Sequence, residues 1–115
     1  MSKDIILQTL LSAGLAVGDG TTANETAGPI QVNSFPVTNN VFYVISNASQ
    51  TTGTVTIQEA DSTSNTGTWV TVATVTCATA NTVQVVRLAG EIMAVRARVS
   101  ATANGSGITV KYKAS

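Results

Sequence analysis

Thr54-Val55-Thr56-Ile57-Gln58 runs through Asp61-Ser62-Thr63-Ser64-Asn65-Thr66-Gly67 into Trp69-Val70-Thr71-Val72-Ala73-Thr74-Val75. In an extended chain the first segment alternates, sending Val55 and Ile57 to one face and its Thr and Gln side chains to the other. Val, Ile, Thr and Trp all favour strands. The middle segment has nothing to bury and is built from turn-forming residues, so it closes the two strands into a hairpin.

The same signals recur on both sides of this hairpin. Val41-Phe42-Tyr43-Val44-Ile45 is a continuous apolar run, which predicts a central strand buried on both faces. Thr82 to Leu88 and Ile92 to Val99 read as two further strands joined through Ala89-Gly90-Glu91. Ala103-Asn104-Gly105-Ser106-Gly107 is a turn whose glycines permit positive φ. It leads into Ile108 to Lys113, with Ile108, Val110 and Tyr112 on one face. The expected fold is therefore all-β: one antiparallel domain, a β-sandwich or a barrel-like, jelly-roll-like closure. Periodicity does not separate the two.

Upstream of Val41 the pattern weakens. Pro29 and Pro36 bracket a short extended piece, Ile30-Gln31-Val32. Residues 18–28 offer almost nothing apolar and read as a loop or linker. Residues 1–17 carry Ile5, Ile6, Leu7, Leu10, Leu11, Leu15 and Val17, in a spacing that fits a short strand or a helical turn equally well. The division expected is an N-terminal arm and linker over 1–28 and a β-domain over 29–115. So much apolar surface in the arm must cover the body, bind a sister copy or bind another protein, which makes Ile5, Ile6, Leu7, Leu10 and Leu11 candidate docking residues.

Composition narrows the chemistry. Six Lys and Arg balance six Asp and Glu, and charged residues are only 10% of the 115. No net field draws the chain to nucleic acid or to an anionic membrane. No apolar stretch approaches a membrane span. The first residues make a poor signal peptide, because Asp4 sits among them and Gln8 and Thr9 interrupt the apolar run, so synthesis in the cytoplasm is expected. Cys77 is the single cysteine and there is no histidine, which excludes an intrachain disulfide and leaves no cluster at zinc spacing. Neither a metal nor a cofactor is expected.

Nucleophilic hydroxyls need a base beside them, commonly His, and none exists here. Glu59 and Asp61 are close acids at the mouth of a polar loop and read as a solvated rim. Cys77, between Thr76 and Ala78, reads as a small buried hydrophobe. The chain is therefore expected not to be an enzyme. Arg96 and Arg98 share a strand face and, with Arg87 on the preceding strand, would make a positive stripe. Nucleic-acid binding would also need interleaved aromatics. The better reading is an interface pair bonding Glu59, Glu91 or a neighbouring subunit. Trp69 is either a cap on the core beneath its loop or a contact residue of that loop able to stack on a sugar.

The segments Thr54–Glu59, Asp61–Gly67 with Trp69-Val70, Val95-Arg96-Ala97-Arg98-Val99 and Gly105-Ser106-Gly107-Ile108-Thr109-Val110 together resemble the small β-sandwich virion proteins of tailed bacteriophages. The resemblance spans Val41 to Lys113, 73 of the 115 residues, and within that group a capsid decoration or cement protein fits best. It implies a subunit bound outside the shell, in contact with the major capsid protein and sister copies of itself. Such a subunit is expected to be a homo-oligomer, a trimer being one arrangement, with no nucleic-acid or membrane partner. It also implies docking by an arm that adds a strand to the capsid, although no motif marks the docking site. A tail, neck or head-fibre component, or a carbohydrate- or receptor-binding module, is the alternative.

Overall fold

The computed structural model describes residues 7–20, 30–31, 39–60, 69–90 and 94–114. They form eight strands: β1 (Leu7–Gly14), β2 (Ile30–Gln31), β3 (Asn39–Ser46), β4 (Thr54–Ala60), β5 (Val70–Thr76), β6 (Thr82–Ala89), β7 (Ala94–Ala101) and β8 (Ile108–Ala114). Two four-stranded sheets result, ordered β1-β8-β3-β6 and β2-β7-β4-β5. Every pairing is antiparallel. First pairs with last, second with seventh, third with sixth and fourth with fifth, as when one long hairpin is rolled up on itself. This is the jelly-roll order, and the described residues form an all-β sandwich of two separate sheets.

Alternation fills the space between the sheets. Phe42 and Val44 of β3, Val55 and Ile57 of β4, Val95, Ala97 and Val99 of β7, and Ile108, Val110 and Tyr112 of β8 form one buried cluster. Val86 and Leu88 of β6 pack against it half-buried. Cys77 lies fully inside, as expected of a small hydrophobe. Burial pushes its thiol pKa up, against a smaller opposing pull from the Ser46 hydroxyl.

The expectation of a β3 buried on both faces is corrected. Its residues alternate: Phe42 and Val44 are buried, and Val41, Tyr43 and Ile45 are only half-buried. β3 is central within its sheet, between β8 and β6, but no described layer covers its outer face.

The arm is also redrawn. Leu7 to Gly14 is an integral strand paired with β8, with Leu7 opposite Lys113. Leu10 and Leu11 are each 3% exposed and belong to the core, so neither is free to dock. Their adjacency has a simple cause. Thr9 faces Lys111 while Leu11 faces Val110, which leaves Leu10 as the extra residue of a bulge and turns both leucines inward. Ile5 and Ile6 lie outside the described residues.

The presumed linker is tied down at its start. Gly18 N–H donates to the Val99 carbonyl (2.9 Å), and Val99 N–H returns a bond to the Asp19 carbonyl (3.0 Å). The Asp19 carboxylate accepts from the N–H groups of Leu15 (2.9 Å) and Ala16 (3.0 Å), which lowers its pKa. Residues 14–20 thus cross from β1 to β7 and join the two sheets on that side. Residues 21–28 lie outside the described part.

One end of the sandwich is clamped by its loops. Asn104 Oδ1 accepts from the Thr51 and Thr52 N–H groups at 2.8 and 3.1 Å, and its Nδ2 donates to Thr51 Oγ1. Ser106 N–H donates to the Ala48 carbonyl. The contact is so close that a Cβ on Gly105, at φ 59°, would stand 2.4 Å from the Ser49 carbonyl carbon. The turn foreseen over 103–107 needs glycine here for both reasons.

Candidate functional site

The outer face of the β2-β7-β4-β5 sheet carries the charged and aromatic residues singled out in the sequence. On β7, Val95, Ala97 and Val99 point inward, so Arg96 and Arg98 point outward. Gln58 of β4 lies opposite Arg96, and Thr56 opposite Arg98. Arg96 Nε donates to Gln58 Oε1 at 2.7 Å, and Gln58 Nε2 donates to Thr71 Oγ1 of β5 at 3.2 Å. The row therefore runs across three strands.

Trp69, just before β5, covers it. The Arg96 guanidinium carbon is 4.4 Å from the Trp69 ring centroid, a cation–π stack that leaves Arg96 only 6% exposed although it sits on an outer face. Trp69 itself is half-buried and is not one of the core-cluster residues, so it caps an arginine and not the core. One face of its ring is occupied. Arg98 is half-buried beside Gly18.

The structure brings Arg96 and Trp69 together and separates Arg87 from both. Arg87 lies on β6, in the opposite sheet, so the three arginines form no stripe. The reason is the roll: β6 and β7 are consecutive in sequence but lie in different layers. Glu59, proposed as a partner, faces Val95, on the other alternation from Arg96. Asp61 and Glu91 lie outside the described residues.

The other outer face has a different chemistry. Val41, Tyr43 and Ile45 of β3 lie opposite Arg87, Val85 and Val83 of β6, and Val41 and Tyr43 lie opposite Lys113 and Lys111 of β8. Lys113 Nζ is 5.8 Å from the Tyr43 ring centroid. Three of the chain's six cations are thus gathered around an apolar strip. Sequence patterning read Val41–Ile45 as core and joined Arg87 to Arg96 and Arg98, because it did not show which strands share a sheet.

Among the described residues, no group of three His, Cys, Asp or Glu side chains could hold a metal ion. No helix of the described residues is long and apolar enough to cross a membrane. Comparison with protein-family models, with curated proteins and with solved structures returns no match.

Proposed function

We propose that the chain is a non-enzymatic structural protein of a tailed-phage virion, bound to the capsid exterior as decoration or cement and touching the major capsid protein and sister copies. The observation that carries this reading is the jelly-roll strand order in a Thr-rich, sparsely charged chain. The jelly roll recurs in viral capsid domains, and the support it lends is analogy of fold. The sequence resemblance over residues 41–113 points the same way. Lectins use the same fold, and with Arg96 on one face of Trp69 a sugar would have only the other face to stack on. A tail, neck or head-fibre location is the nearer alternative.

Gradient-purified particles from a lysate carrying the gene decide the matter. Mass spectrometry should find the chain in intact particles, and gold-labelled antibody should mark the head exterior. Label on the tail would move the protein there. Absence from the particles would sink the proposal altogether.

A further inference from the structure

Four strands end the two sheets: β1 and β6 in one, β2 and β5 in the other. Two of them, β1 and β5, are interrupted. β1 shows two register shifts against β8. β5 shifts register against β4 where Val72 is the extra residue. Each of these features keeps a sheet edge from accepting another strand.

β6 has none of them. Its eight residues pair with β3 in unbroken register. It contains no proline, and Arg87 is its single charge. Outward it presents Val83 and Val85, 56% and 47% exposed. Among the described residues, no strand pairs with its outer edge. A regular, nearly uncharged edge with exposed valines is suited to strand addition.

We propose that β6 is the surface through which two copies of this chain associate, edge to edge and antiparallel about a two-fold axis. This deepens the sister-copy contact of the reading above. The strand's own sequence argues for a second copy as the occupant, because it is self-complementary about Gln84. Antiparallel pairing centred there sets Val83 of one copy against Val85 of the other, twice by symmetry, and sets Thr82 against Val86 on the inner side. The two Arg87 side chains end up six residue steps apart, roughly 20 Å at the rise of a strand, beyond the range at which salt leaves charges unscreened. The half-buried Tyr43 and Ile45 of β3, next to the valines, extend the apolar strip across the joint. The contact is isologous, so it closes at two copies and does not propagate.

Sedimentation equilibrium on the full chain tests this, with Val83→Lys and Val85→Lys as variants. Both side chains point away from the core. Val70→Lys is the control, since Val70 is equally exposed but lies on interrupted β5. The wild type should be dimeric, each β6 variant should weaken the dimer by about tenfold or more, and the control should leave it unchanged. If the β6 variants misfold, amide exchange of the wild type decides: protection that grows with concentration should fall on β6. A monomer at every concentration, a trimer, a dimer indifferent to both β6 changes, or concentration-dependent protection confined to other strands would each overturn the proposal. A dimer from a chain missing from virions would leave this contact standing and remove only the virion role; a virion-bound monomer would do the reverse.

Discussion

Asn40 is one amide that ties three strands together. From β3 its Nδ2 donates to the Leu88 carbonyl of β6 (3.1 Å) and to the Gly90 carbonyl just beyond (2.9 Å), while its Oδ1 accepts the Tyr112 hydroxyl of β8 at 2.7 Å. Both residues are buried, and the Tyr112 ring packs 4.9 Å from Phe42. Removing either partner strands the other in a place without water. Tyr112→Phe should cost about 1–3 kcal/mol, and Asn40→Ala more, because it abandons three groups. A double-mutant cycle by urea unfolding should show the two losses to be strongly coupled; simple additivity would disprove the link. Burial also pushes the Tyr112 pKa up to about 12. The fold favours the neutral phenol, so this contribution is whole below the ordinary tyrosine pKa and is lost as pH rises through about 12. An ultraviolet titration of the phenolate checks that order. The inward side of Tyr112 was legible from the alternation of β8, but its bond to Asn40 was not, because an asparagine ahead of an apolar run reads as a turn residue.

At the scale of elements, the strands that alternate cleanly were legible, whereas β1, whose period breaks at Leu10-Leu11, was not. Thr54–Gln58 and Ile108–Lys113 fall within β4 and β8 because each keeps the period of two throughout. Leu10-Leu11 breaks that period, which is why residues 1–17 fitted helix and strand alike. The bulge that resolves the ambiguity depends on β8, far away in sequence. Its consequence is measurable. Leu11→Ala should cost about 2–5 kcal/mol in chemical denaturation, since a buried leucine leaves a cavity that the sheet fills poorly. A docking arm outside the fold would tolerate the change with little loss.

For the whole molecule, the sequence carried the fold class but not the partition of strands between layers. The arginines show why. Arg87 and Arg96 are nine positions apart in the chain, and turn signals between their strands read as an ordinary hairpin. The roll instead sends β6 to one sheet and β7 to the other. Only long-range pairing decides that, and no local pattern encodes it. The Trp69 stack was half legible: the residues were singled out, but their meeting depends on Gln58 drawing Arg96 toward β5.

Pairing of the first strand with the last also sets how the protein answers to force. Leu7 lies opposite Lys113, so the two outer ends of β1 and β8 are side by side. A pull applied at those ends loads the β1–β8 hydrogen bonds one after another, like a zipper, and never all at once. Tension between attachment points there should therefore peel the sandwich open at low load. Single-molecule traction should record a far higher rupture force when the handles are moved to Leu7 and Ile108, which lie at opposite ends of the same pair and shear it lengthwise.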